Sequence, residues 1–450
     1  MRIVISLLTL CTLAAAWPAR EEVKRDFQKT ASLPNGRSLR VEHSQGSVTI
    51  RTQAKNEVAV QAAIRCSADN AETARRYCDQ IQIRVEENGA GVIIRTDYPR
   101  NETRNLSYSA NLEIQMPETA PLELRNRFGH VAVHKLRAPA SINNSNGNVL
   151  LMQTAGRQRI ENSFGNVEVV TNDGDLTIVN GNGWVRAGDI GGTAEITNRF
   201  GEVRVSNIGK TLTVRAGNSK VDVEHVGGIA NIATTFGDVR VWDAKADLTV
   251  HNQNGRVDAN TVAGIADLQT TFAAIKFTAI GKSVRVMAEN SSVNGDTVGE
   301  SATVQTTFAN VDLRAIKGGA RVNAANSGIR IVGIGGEVYA KTSFAGITVD
   351  DVAGPVTVES ANGSVTVSPR SGQPCKPLSI QTTFAPIRVA VSAGVGYTVT
   401  GKTSFGRIHS EPEMAISGAI APESVTGRIA GGGCDLRLTN QNGNIDIVKR

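Results

Sequence analysis

Reading every eighteenth residue from Phe128 gives Asn146, Phe164, Asn182, Phe200, Asn218, Phe236, Asn254, Phe272, Asn290, Phe308, Asn326, Phe344 and Asn362, with no break in the alternation. A strict period sustained over this length is the mark of a repeat architecture, in which each unit packs on its neighbours along one axis. The spacing therefore predicts stacked 18-residue rungs, paired by the Phe/Asn alternation into 36-residue repeats.

Within one rung, "GDVRVWDAKADLTVHNQN" (Gly237 to Asn254), Val239 and Val241 alternate with Asp238 and Arg240, and Leu248 and Val250 alternate with Asp247 and Thr249. This period of two predicts two short strands per rung. A second column, Ile190, Ile208, Val226, Ala244, Val262, Ile280, Val298, Ile316, Ile334 and Val352, keeps the same spacing and reads as an inward-facing corner. Equivalent strands of successive rungs would pair in parallel about 4.8 Å apart. The fold class is therefore all-β, a parallel β-helix or β-solenoid, with a right-handed coil favoured because parallel crossovers are almost always right-handed. Its 45 Gly and many Val, Ile and Thr suit short strands joined by tight turns.

The Phe/Asn column reads as a structural ladder at one corner of the rung. Rings in every rung would crowd at about 4.8 Å, whereas rings in alternate rungs stand about 9.6 Å apart. On this reading the rings are buried, and an exposed stripe is the alternative. Two positions earlier runs a column of small, mostly polar residues: Asn126, Asn144, Asn162, Asn180, Asn198, Ala216, Thr234, Asn252, Thr270, Ala288, Thr306, Ala324, Thr342 and Ser360. Its Asn and Thr side chains are expected to hydrogen-bond from rung to rung. Outward charges alternate in sign, as in Glu202, Lys220, Asp238 and Arg256, or Asp222, Arg240, Asp258 and Lys276, and cross-strand pairing accounts for them.

The period falters after Asn362: Phe384, Phe405 and Asn442 follow at longer intervals. The chain is accordingly divided into a signal peptide (1–16), a strand-rich N-terminal cap region (17–125) with one short helix near 69–79, a regular β-helix (126–370), and irregular terminal rungs with a C-terminal cap (371–450). The first segment carries Arg2 before an apolar run, Ile3 to Ala16, too short to span a bilayer, and "AAA" at Ala14 to Ala16 suits cleavage. Leu10 before Cys11 argues against a lipidation site. Export makes disulfides reasonable among the four remaining cysteines, with Cys66 and Cys78 flanking the helix and Cys375 and Cys434 as a second pair. Asp69 and Glu72 have capping-box spacing.

The leader containing "LEIQMPETAPLELRNRFGHVAV" (Leu112 to Val133) and the serial "SFGNVEV" and "QNGRVDA" units resemble the bacterial putative adhesin family of exported β-helical proteins. The likeness runs over residues 35–450. It implies surface attachment or assembly and supplies no binding residues to carry over.

Chemistry is sparse. His130 and His134 would share a strand face without an evident third ligand, and Asp173 and Asp175 read as turn residues rather than a calcium loop. No nucleophile motif or phosphate loop occurs, and no carboxylate cluster of the kind a polysaccharide-cleaving β-helix needs. A net charge of +6 over 450 residues, with alternating signs, does not make a nucleic-acid stripe. The sequence thus points to a non-enzymatic, exported adhesin-like β-helix without cofactor or metal, at the cell surface or extracellular, with the periplasm as the alternative. Its expected partner is a surface glycan, a protein or another copy, and the alternative is a polysaccharide-binding or polysaccharide-cleaving protein.

Overall fold

The computed structural model describes residues 20–100, 105–417 and 423–450, so the expected signal peptide, Cys11 included, lies outside the described residues. The chain divides into two compact units, residues 1–147 and 148–450.

In the first unit, long strands Glu21–Ser32, Glu57–Ala68 and Ser107–Pro117 pair antiparallel. The helix Ala71–Gln80 packs against the first two. Its cap is Asn70, whose side chain accepts from the Thr73 amide, one residue later than the Asp69 expected from the capping-box spacing. A disulfide joins Cys78 on the helix to Cys66 on strand Glu57–Ala68, with the Cα atoms 5.8 Å apart. Parallel pairing at an 18-residue offset is present here too: Leu122–Phe128 runs beside Ala140–Asn146, with Phe128 opposite Asn146.

The second unit is a β-solenoid. Each rung contributes one strand to each of two parallel sheets, as Ala194–Phe200 and Val203–Ile208 do. In the regular rungs residue i sits opposite residue i+18 in both sheets, so that Ile196 faces Val214 and Val205 faces Val223, and the offset lengthens only toward the C-terminal end, where Val356 faces Leu378. Period-two alternation follows, with Ala194, Ile196, Val203 and Val205 buried and Glu195 and Arg204 exposed. The column from Ile190 to Val352 is buried throughout. It reaches the interior through a kink, because every eighteenth residue from Gln153 to Asp351 has φ between 53° and 74°. One residue in the left-handed region advances the strand out of strict alternation, so Ile208 points inward three positions after Val205. Asn207 and Asp243 suit that conformation, whereas Thr171, Thr261 and Thr297 adopt it against their preference.

Along the opposite corner runs the buried polar column. Asn162 donates to the side-chain oxygen of Asn180 and Asn180 to that of Asn198, each over 3.1 Å. The same amides close the turn that follows, Asn180 on the Gly183 carbonyl at 3.2 Å and Asn198 on that of Gly201 at 2.9 Å. Where threonine replaces asparagine, its hydroxyl donates to the preceding rung's carbonyl, as Thr270 does to Gly255 and Thr342 to Ser327. Elsewhere in the core, the buried ring of Phe277 occupies space that a Cβ at Gly295, in the next rung, would overlap.

At the C-terminal end, space and sequence part company. Strand Leu378–Thr382 pairs with Cys434–Asn440, which pairs on its other side with Tyr397–Lys402. The second sheet repeats the order, with Ile445–Lys449 between Ile387–Val391 and Ile408–Ser410. The last rung of the chain is thus inserted between two earlier ones, and the disulfide Cys375–Cys434 fastens it to the rung below. Beyond it, Tyr397–Lys402 pairs antiparallel with Ser424–Ile429, which takes Met414–Ile416 on its other side. An antiparallel hairpin at this end covers a parallel strand edge that would otherwise stand open.

Two outcomes follow. Asn180→Ala removes the acceptor of Asn162 and the donor to Asn198, and is expected to lower the unfolding free energy by about 1–3 kcal/mol in urea titration. Unchanged stability would refute the ladder. Opening the 59-residue disulfide loop with Cys375→Ser and Cys434→Ser is expected to cost up to about 4 kcal/mol and to raise hydrogen exchange first in Cys434–Lys449. Equal protection there with and without the bond would contradict its fastening role.

Candidate functional site

The corner phenylalanines are not in the core. In the second unit Phe164, Phe200, Phe236, Phe272, Phe308, Phe344, Phe384 and Phe405 are between 42% and 76% exposed, and Phe128 of the first unit is 39% exposed. The expectation of a buried aromatic ladder is therefore overturned. Its physical reason lies two residues earlier: Asn198 fills the interior of the corner and binds the turn that follows, so the chain has left the alternation of the strand when it reaches Phe200. The aromatic column and the polar column compete for one interior position, and the smaller, hydrogen-bonding side chain holds it.

The registers bring the ladder residues together as the spacing implied. Phe164 pairs with Asn182, Asn182 with Phe200, Phe200 with Asn218, Asn218 with Phe236, and Phe308 with Asn326. Outward asparagines also donate to the preceding rung, Asn254 to the Thr235 carbonyl at 3.4 Å and Asn362 to that of Ser343 at 3.3 Å. Past Asn362 the alternation is lost in sequence but kept in space. Phe384 lies beside the Asn362 rung, Asn442 donates its amide to the Thr383 carbonyl, and Phe405 pairs with Asn442. The inserted C-terminal rung thus supplies the asparagine that belongs between Phe384 and Phe405.

Beside this edge the outer face of one sheet forms an open groove of about 1060 Å³. Its floor is built from columns of outward residues, including Thr197, Arg215, His251 and Gln269, with Phe164 and Phe200 at the rim. Gly181 and Gly217 keep side chains out of it. The Arg199 guanidinium lies 5.9 Å from the Phe200 ring centroid. On the other sheet, a smaller depression of about 580 Å³ surrounds exposed Trp242 with Arg240, Asp258 and Lys276.

Outward charges pair in part as expected. Lys220 lies 2.6 Å from Asp222 and 3.4 Å from Glu202, and these carboxylates hold its ammonium above the usual lysine range, Asp222 first. Asp238 instead caps the backbone of the next rung, accepting from the Arg256 amide at 3.0 Å. Asp175 does likewise toward the Thr193 amide and hydroxyl, which keep its carboxyl below the ordinary value. Among the described residues no three His, Cys, Asp or Glu side chains gather as a metal site, and no helix is long and apolar enough to cross a membrane.

Residues 37–279, more than half of the chain, match the Toastrack DUF4097 family. No curated protein matches the chain. Among solved structures, it is similar to a putative cell adhesion protein from Clostridium sporogenes, at 8% identity over 95% of this chain and 100% of that one, with a TM-score of 0.15. A putative adhesin from Parabacteroides distasonis is similar at 10% identity over 67% of this chain and 97% of that one, with a TM-score of 0.18.

Phe236→Asp separates the two placements of the column. At an exposed edge it is expected to change stability by no more than about 0.5 kcal/mol, whereas a carboxylate in the core would cost several times that. A large fall in melting temperature would return the ring to the interior.

Proposed function

The chain belongs to the Toastrack DUF4097 family, and from that premise we propose that it acts as an exported, non-enzymatic, adhesin-like β-solenoid in cell-surface adhesion or as an envelope scaffold. The observation that carries this reading is the outward aromatic edge. Eight phenylalanines stand at least two-fifths exposed along one corner of one unit, a regular row of apolar rings separated by asparagines, and exposed apolar side chains gathered in one place mark an interaction surface. Parallel stacking repeats it every two rungs, about 9.6 Å, so contacts that are individually weak add through avidity. Two disulfides support export to an oxidising compartment.

The groove beside the edge favours a second reading, polysaccharide binding. Aromatic faces at the rim can stack on sugar rings, and the lining offers hydroxyls, amides, Arg215 and His251 to sugar hydroxyl groups. No carboxylate stands among those lining residues, whereas glycoside hydrolysis ordinarily needs a pair.

Incubating the full chain with a panel of immobilised polysaccharides and surface proteins tests both. Retention that is lost in the triple variant F200S/F236S/F272S, with no new reducing ends or unsaturated sugars released, is the expected result. Turnover of any polysaccharide would overturn the non-enzymatic reading, and retention indifferent to the triple variant would remove the edge from the function.

A further inference from the structure

The aromatic edge is complementary in shape to itself. Rings on alternate rungs leave notches one rung wide, each floored by an exposed or half-buried asparagine. Crowding in a core does not explain the spacing, since the rings lie outside it. The pattern is also kept where chain order is broken, with Asn442 inserted between Phe384 and Phe405. A ring entering a notch from outside would sit about 4.8 Å along the axis from the rings on either side, within the ~4.5–7 Å that aromatic pairs prefer.

We propose that the occupant of these notches is a second copy of this chain, packed antiparallel and edge to edge with the phenylalanines interleaved. This rests on the reading of the edge as the binding surface and names its partner. Symmetry selects the orientation. A two-fold axis parallel to the stack would set Phe against Phe, whereas one perpendicular to it, passing between adjacent rungs, sets every Phe against an Asn. Charge selects the register. Of the residues that immediately precede the corner from Ser163 to Ala361, all are small or uncharged except Arg199 and Glu289. Both are exposed, and they stand five rungs apart. An axis between the Phe236 and Asn254 rungs brings Arg199 of each copy opposite Glu289 of the other. The same register sets Phe236 against Asn254, Phe200 against Asn290, Phe272 against Asn218, Phe164 against Asn326 and Phe308 against Asn182. Five half-exposed rings per copy supply on the order of 500 Å² of buried surface, the larger part of the roughly 800 Å² per partner of a standard interface. Amide N–H groups of the asparagines would face the inserted rings, a weakly favourable contact.

Sedimentation velocity of the full chain over a wide concentration range, with circular dichroism to check that each variant is folded, reads this directly. The wild type is expected to be a dimer. F200S/F236S/F272S should weaken it tenfold or more. R199E should weaken it and R199E/E289R restore it, because the swapped charges meet again across the axis. N254F/N290F fills two notches while adding apolar surface, and should weaken the dimer. A wild type that stays monomeric, a swap that restores nothing, or a tighter dimer in N254F/N290F would each overturn the proposal. A monomer that is still retained on a polysaccharide through its phenylalanines would overturn self-association while leaving the edge as a binding surface.

Discussion

Most rungs, and every rung that carries a corner phenylalanine, turn from one sheet to the other around a buried amide or hydroxyl, with alanine standing there only at Ala216, Ala288 and Ala324, and that contact decides what its neighbours can do. An asparagine such as Asn180 binds the turn of its own rung and the asparagine of the next, so one side chain fixes both the corner and the stacking register. Because the amide occupies the interior, the residue two places on is expelled to the surface. In alternate rungs that residue is phenylalanine. The exposed aromatic edge is therefore a by-product of how the corner is closed, available for use wherever the outward residue is apolar.

The second constraint is the length of the rung. Eighteen residues are accommodated by kinking one strand with a single left-handed residue, which lets Val203, Val205 and Ile208 all face inward. Threonines at Thr171, Thr261 and Thr297 accept an unfavourable backbone there. The stacked backbone hydrogen bonds of the neighbouring rungs on both sides outweigh the local preference, as tertiary context commonly does.

Much of this was legible from residue spacing. The Phe/Asn column gave the rung length, the pairing register and the solenoid, and the Ile190 to Val352 column was correctly read as interior. The direction of the rings was not, because period-two counting from Ala194 through Asn198 carries on to Phe200 unless the turn is known. A signal was present nonetheless: two columns, two residues apart, both claimed the same corner, and wherever one offered phenylalanine the other offered an asparagine or threonine able to satisfy a buried turn. The left-handed column was hidden by its threonines and alanines, and the cap at Asn70 by the more familiar spacing of Asp69 and Glu72. Insertion of Cys434–Asn440 between older rungs cannot be read from chain order, although Asn442 falling where the alternation required an asparagine was the trace it left.

Native-state thiol labelling of T234C and F236C, two residues apart on the same strand, decides which of the two columns lies inside the corner. Thr234 is 5% exposed and Phe236 50%. Labelling of Cys at 236 at the rate of an exposed thiol, with Cys at 234 protected until the protein unfolds, is the predicted result. Protection at 236 with reaction at 234 would place the aromatic column in the core and refute an outward edge.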